Sequence, residues 1–276
     1  MRYYGGKWKL APWIISFFPE HRTYVEPFGG AGNVLLQKKP SPVEVYNDLS
    51  SEVYNVFRVL RDPVSAAALM DLLRLTPYSR EEWLDSYAYA DTEDYVENAR
   101  RTIVRATMSH NPSKVLNRLS NGFRSSSSGH HRLPQTFQSA TEDLLQFTNR
   151  LRGVILENRD AMKVMQQHDS PTTLHYVDPP YIQSLRMDRR NTYAVEMGTL
   201  DQHWQLSIML KELKGYVILS GYPSKAYTEW YTKAGWEVHS KQAVTGAALH
   251  GKSTAMECLW LNPACADAQR QMKMKL

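Results

Sequence analysis

Four consecutive residues, Asp178-Pro179-Pro180-Tyr181, close the apolar run Leu174-His175-Tyr176-Val177. A short β-leaning run that stops at an acid and two prolines predicts a buried strand delivering a carboxylate to the edge of a sheet. Proline lacks an N–H and has a fixed φ, so Pro179 and Pro180 hold the turn open and leave backbone carbonyls pointing away from the ladder. Tyr181 adds an aromatic ring. Together these groups suit a planar ring that bears an amine, with two acceptors for the NH2 and one surface for stacking. A bare Asp-Pro at a strand end is ordinary turn chemistry; the four-residue combination points to function.

A second group lies near the start of the chain. Residues 23–28 (TYVEPF) form a strand candidate, followed at once by Gly29-Gly30-Ala31-Gly32-Asn33 and a helical run over 34–38. Strand, glycine-rich turn and helix in that order make the first half of a nucleotide-type site, because glycines allow close backbone approach and helix N-terminal N–H groups face the ligand. Residues 43–46 are the next strand, ending in Asn47-Asp48. An acid about 20 residues after the glycines is where Rossmann-like sites hold ribose hydroxyls. Upstream, Tyr3-Tyr4-Gly5-Gly6-Lys7 pairs a Gly-Gly turn with a cation.

The elements that must position these groups follow from pattern. Helical character runs from Ser50 through Arg61 and, with breaks at Pro63 and Pro77, to Met108. Residues 111–134 are polar and rich in Gly and Ser. Strand-like runs resume at 154–156, ending in Asn158-Arg159-Asp160, then at 174–177, 215–222, 236–244 and 256–261. Helices are predicted at 10–18, 200–213, with Gly215 as the C-terminal stop, and 224–234. Seven strands, the first five separated by helices and the last two only by a loop, predict an α/β doubly wound sheet with a terminal antiparallel hairpin. Residues 1–56 and 152–276 are expected to form the main domain. Residues 57–151 are expected to form a helical insertion with a basic loop.

The chain of 276 residues is long enough for this plan. Its 33 Lys and Arg against 28 Asp and Glu leave a net charge of +5. The pI is about 9.0, which permits a polyanionic partner. Between residues 98 and 152 stand Arg100, Arg101, Arg105, Lys114, Arg118, Arg124, Arg132, Arg150 and Arg152, opposed within that window only by Glu142 and Asp143. That segment is the expected basic face. The two cysteines, Cys258 and Cys265, suggest reduced thiols and no metal site. No apolar run approaches the roughly 20 residues of a membrane span, and the first residues lack the apolar core of a signal peptide, so a cytoplasmic address is expected.

One rival deserves weighing. Residues 246–253 (GAALHGKS) fit the phosphate-loop spacing G-x-x-x-x-G-K-[ST]. A phosphate loop must open a helix, whereas residues 256–261 read as a strand, and few residues remain for the acidic strand that should follow.

The motifs resemble those of the S-adenosylmethionine-dependent DNA adenine-N6 methyltransferases, Dam-type (the α class). Tyr3-Tyr4-Gly5-Gly6-Lys7 is similar to the family's N-terminal element, with Tyr3 where many relatives carry Trp. Val25-Glu26-Pro27-Phe28-Gly29-Gly30-Ala31-Gly32 is similar to its cofactor loop, Asn47-Asp48 to its ribose-binding acid, Asp178-Pro179-Pro180-Tyr181 to its catalytic motif and Leu219-Ser220-Gly221-Tyr222 to a later strand. The resemblance implies a Rossmann-like methyltransferase sheet with a helical DNA-recognition insertion. It also implies that Tyr3, Lys7, Pro27, Phe28, Gly29, Gly30, Ala31, Gly32, Asp48, Asp160 and Asp178 line S-adenosyl-L-methionine, without a metal. Asp178 and the Pro179 carbonyl would accept hydrogen bonds from the N6 of a flipped adenine, with Tyr181 stacking on it. Arg118, Asn121, Arg124, His130 and Arg132 are the DNA-contacting candidates in double-stranded DNA binding. A cytosine-N4 or RNA target, or a non-catalytic DNA-binding relative, stays open at this point.

Overall fold

The computed structural model describes residues 7–88, 93–109, 122–125, 133–142, 144–182, 197–245 and 253–274. In chain order the elements are α1 (Ala11–Ile15), β1 (Thr23–Glu26), β2 (Val43–Asn47), α2 (Ser51–Arg61), α3 (Pro63–Leu75), α4 (Arg80–Ala88), α5 (Tyr95–Met108), α6 (Leu133–Glu142), α7 (Leu144–Leu151), β3 (Ile155–Glu157), α8 (Ala161–Gln167), β4 (Thr173–Val177), α9 (Leu200–Glu212), β5 (Tyr216–Gly221), α10 (Lys225–Trp230), β6 (Glu237–Thr245), β7 (Ser253–Leu261) and α11 (Pro263–Met274). The seven strands form one sheet in the order β3-β2-β1-β4-β5-β7-β6. Pairs β1·β2, β1·β4 and β4·β5 are parallel, whereas β7 runs antiparallel to β5 and to β6. This is the predicted Rossmann-like α/β sheet with its closing antiparallel pair.

The order reverses between β1 and its neighbour β4. In open α/β sheets that switch point leaves a crevice at the carboxyl ends of the two strands, where ligands bind. Register sets Thr23 beside Thr173 and Val25 beside His175. The glycine turn after β1 and the Asp178 corner after β4 therefore leave the same edge of the sheet side by side.

Two compact units divide the chain. One holds the described residues of Asp48–Asn158, the other Lys7–Asn47 and the described residues of Arg159–Arg190 and Glu196–Leu276. In the second, alternate strand residues face opposite layers. Val25, Val45, Val177, Val217 and Leu219 pack with Val164, Met165, Leu206, Leu210, Tyr227 and Tyr231 from α8, α9 and the α10 region. On the other face Phe18 meets the rings of Tyr24 and Tyr176, and Cys265 of α11 reaches the Phe17 carbonyl. Burying each such Val or Leu contributes about 1.5–3 kcal/mol. In the first unit, helices start on side-chain caps: Ser50 accepts from Val53 N, Asp62 from Ser65 N beside Pro63 in the first turn of α3, and Asp94 from Val96 and Glu97 N. Among the described residues no helix is long and apolar enough to cross a membrane.

Three local expectations are corrected. Residues 34–38 form hydrogen-bonded turns, with Leu36 N donating to Gly32 O and Lys38 N to Val34 O, and not a regular helix. Gly215 is not a left-handed helix stop: α9 ends at Glu212 with an extended Leu213. A β-carbon on Gly215 would lie 2.5 Å from Thr173 O and 2.8 Å from Ser170 O, so the residue is glycine because two chains pass close together. The C-terminal helix α11 went unread, although Pro263 in its first turn and buried Cys265, Ala266 and Gln269 carry its pattern.

Candidate active site at the carboxyl edge of the sheet

The glycine turn is built by its neighbours. Gly30 and Gly32 have φ of 50° and 61°, a region that side-chain-bearing residues disfavour. A β-carbon on Gly29 would fall inside the Tyr46 ring. Tyr46 in turn donates its hydroxyl to Gly30 O at 2.6 Å. Asn47, fully buried, donates to Pro27 O at 2.9 Å and Arg159 O at 3.0 Å and accepts from Arg159 N at 2.9 Å. It ties the turn after β1 to the segment ahead of α8. Pro27, Ala31 and Gly32 are buried, and Phe28 packs partly against the core. Glu26, the last residue of β1, accepts from Tyr24 Oη at 2.7 Å and Leu35 N at 2.9 Å. Burial pushes its pKa up to about 8, so the acid is neutral at pH 7.

At the end of β4 the Asp178 carboxylate is a sixth exposed and lies 3.2 Å from Lys7 Nζ, at side-chain exposures of 17% and 7%. Lys7 Nζ also donates to Tyr181 Oη and stands 3.5 Å from Glu257 Oε1. Glu257, from β7, accepts hydroxyls from Tyr181 and Ser220, each at 2.7 Å. Burial raises the pKa of Asp178 to about 6; Lys7 opposes that rise and Glu257 adds to it. Burial alone would lower Lys7, but the two carboxylates outweigh it and hold the ammonium above the ordinary lysine value. The ring of Tyr181 is 9% exposed and lies 4.4 Å from that of Tyr222.

The corner itself is anchored from behind. His203 of α9, wholly buried, donates from Nε2 to Pro180 O at 3.0 Å, and Tyr227 donates its hydroxyl to His203 Nδ1 at 2.8 Å. The carbonyl acceptor on one side assigns the proton to Nε2 and leaves Nδ1 to accept. Neither Glu257 nor His203 stood out in the sequence. A lone Glu inside the apolar run 255–261 was the available signal, since a charge in a buried strand needs a partner.

The remaining candidates are distributed as follows. Asp48, immediately after β2, accepts from Ser50 N at 2.8 Å, and its carbonyl accepts from Asn158 Nδ2. Asp160 caps α8 by accepting from Lys163 N at 3.0 Å. Arg124 is half-buried, with its carbonyl accepting the Tyr78 hydroxyl. Tyr3, Arg118, Asn121, His130 and Arg132 lie outside the described residues. The expectation of a continuous basic face from residue 98 is corrected at its start. Arg100 binds Glu97 through two nitrogens and Glu82 through a third, Arg101 binds Glu97, and Arg105 binds Glu52 and the Ser86 carbonyl. These partners lie outside the sequence window, one to one turn away on the helix and the others on neighbouring helices, so the window miscounted the charge. The phosphate-loop rival fails at the point foreseen, because Ser253 opens strand β7 and not a helix.

Comparison with known proteins bears on the family. Residues 3–245 match the D12 class N6 adenine-specific DNA methyltransferase family. A type II methyltransferase, M1.LlaDCHI of Lactococcus lactis subsp. cremoris, is 26% identical over 274 residues, spanning 94% of this chain and 93% of that protein. A solved structure, the precorrin 8w decarboxylase of Methanobacterium thermoautotrophicum, aligns over 92% of this chain and 89% of its own at 13% identity and a TM-score of 0.38. With the family match extending over most of its length, the chain belongs to the D12 class of N6 adenine-specific DNA methyltransferases.

Proposed function

We propose that this chain methylates adenine N6 in duplex DNA with S-adenosylmethionine as donor, and that the carboxyl edge of β1 and β4 carries the chemistry. The observation that supports this most is the parallel, adjacent exit of those two strands, one into the glycine turn and the other into Asp178-Pro179-Pro180-Tyr181. The residues fit such a cofactor: Gly29, Gly30 and Gly32 leave the turn without side chains, and the acids beside it complement a cation. When bound, the cofactor supplies an activated methyl group whose departing sulfur keeps the electron pair of the broken bond.

In this reading the glycine turn, with Pro27, Phe28 and Ala31, seats the cofactor, Asp48 takes the ribose hydroxyls and Asp160 lies toward its adenine. Lys7 and Tyr3 complete that wall. Asp178 and the Pro179 carbonyl accept the two N6 hydrogens of the target. That arrangement favours a pyramidal nitrogen and frees its lone pair to form the new bond to carbon. Charge builds on the nitrogen as the bond forms, so fixed acceptors act most strongly in the transition state. N6 then gives up one proton, to Asp178 or to water beside it. His203 holds the Pro180 carbonyl and so orients the corner from α9. A stacked base cannot reach this edge, so the adenine turns out of the duplex at a cost of a few kcal/mol, with Tyr181 as its stacking partner. Residues 57–151 would recognise the DNA, with Arg118, Asn121, Arg124, His130 and Arg132 on phosphates or bases. The name of the Lactococcus relative makes a restriction-modification setting the context to look for.

Incubation with duplex DNA and methyl-labelled S-adenosylmethionine, followed by digestion and identification of the labelled nucleoside, tests the reading. N6-methyladenine is expected. Label in N4-methylcytosine or in RNA alone would reassign the target, and no label in any nucleic acid would leave a DNA-binding module without turnover.

A further inference from the structure

The charges around Asp178 do not cancel. Lys7 is the one cation in contact with both Asp178 and Glu257 among the described residues. Glu26, whose field reaches Asp178, is neutral because burial raises its pKa to about 8. Among the described residues, the other ionisable side chains facing the cluster are the phenols Tyr176, Tyr181, Tyr222 and Tyr227, and phenols are uncharged in neutral solution. Glu257 Oε1 accepts two hydroxyl hydrogen bonds, from Tyr181 and Ser220. The described cluster thus holds two negative charges against one positive. A shielded excess charge is unfavourable until a ligand completes the pairing.

We propose that Glu257 is a specificity-determining residue: its carboxylate leaves the site one negative charge in excess, so that a cationic sulfonium donor is held in preference to the neutral thioether that remains after transfer. The proposal rests on the S-adenosylmethionine reading above. Lys7 answers one carboxylate, and Glu257 makes the count uneven while holding Lys7 and the Tyr181 hydroxyl in place from β7. Its consequence is a site that loosens on its own product, because the thioether no longer balances the excess charge.

Calorimetric titration of the full chain with S-adenosylmethionine and with S-adenosylhomocysteine tests this, since the groups the two ligands share cancel in the ratio of affinities. Glu257→Gln keeps the shape and an acceptor for both hydroxyls but removes the charge. It should lose about tenfold in affinity for the sulfonium and little for the thioether. Glu257→Asp, which keeps the charge, should retain most of the preference. In the wild-type chain the preference should shrink as pH falls through about 6, where Asp178 takes up a proton and the excess disappears. This measurement decides the matter if the Gln variant does not fold. A Gln variant with the wild-type ratio, affinities for both ligands that fall together, or a wild-type ratio indifferent to pH would each overturn the proposal. A wild-type chain that methylates adenine yet shows no preference overturns this inference alone. One that binds neither ligand removes the cofactor reading beneath it as well.

Discussion

Two buried charge clusters in this protein are built on opposite rules. In the helical unit, Arg100, Arg101 and Arg105 meet Glu97, Glu82 and Glu52, three cations with three anions, at distances of 2.7–3.0 Å. At the carboxyl edge of the sheet, Lys7 is the one cation among the described residues that answers Asp178 and Glu257. In the balanced cluster Arg100 grips Glu97 of its own helix through two parallel hydrogen bonds, while single bonds from Arg100 to Glu82 and from Arg105 to Glu52 tie α5 to α4 and α2. The unbalanced one is, on the proposal above, completed by a cationic ligand, and its aspartate is displaced toward neutrality by burial. The difference teaches that polar burial alone does not mark a site. What marks it is a pairing left open.

The largest effect should come from the open cluster. Asp178→Ala is expected to lower methyl transfer by about a thousandfold while cofactor binding stays detectable by calorimetry. Transfer at the wild-type rate would take Asp178 out of the chemistry and leave its cluster as structural as the other. Next, Arg105→Met should cost about 3 kcal/mol of stability in urea unfolding, because it strips partners from Glu52 and the Ser86 carbonyl, with transfer by the folded fraction unchanged. A variant as stable as wild type would show that the balanced cluster is ornamental.

The pH dependence separates the clusters further. In the proposed mechanism Asp178 is a charged, strong acceptor for N6 only when ionised, and its pKa is about 6 in the folded chain. The carboxylate is charged above that value and lost below it, so kcat/KM should fall about tenfold per pH unit on the acid side of 6. A profile flat to pH 5 would contradict that displacement. Glu257→Gln removes a neighbour that raises Asp178 and should move the limb to lower pH. The smallest effect is on salt. Neutralising Arg118, Arg124 and Arg132 together should reduce the slope of log affinity for DNA against log salt by up to about 3. Neutralising Arg100 and Arg101, already paired, should leave it unchanged. Equal slopes in both sets would show that the proposed DNA-contacting arginines act no differently from those paired in the helical unit.

Much of the frame was legible beforehand because its signals are local. Short β-leaning runs named all seven strands, most plainly at 174–177, where a strand buried on both faces is continuously apolar. Proline and glycine placed the corner after Val177 and the turn after Glu26 through their own backbone restrictions. Reading failed where a residue's role depends on what lies across from it. Gly215 was taken for a helix stop because glycine's freedom is a local property, whereas the carbonyls of Thr173 and Ser170 that exclude a side chain come from another segment. Arg100, Arg101 and Arg105 were placed in a basic face for the same reason, since the acids that pair them lie outside that stretch.

The chain by itself determined that an acid, two prolines and an aromatic would end a buried strand, and that glycines would follow an earlier one. Only the tertiary structure decided that these ends are neighbours, because strand order is set by packing between layers and not by position in the chain. It also decided that Lys7 stands against Asp178, and that β7, inserted antiparallel between β5 and β6, brings Glu257 to the same point. Charges act through space, so the balance of a site becomes readable only when every element that faces it is in place.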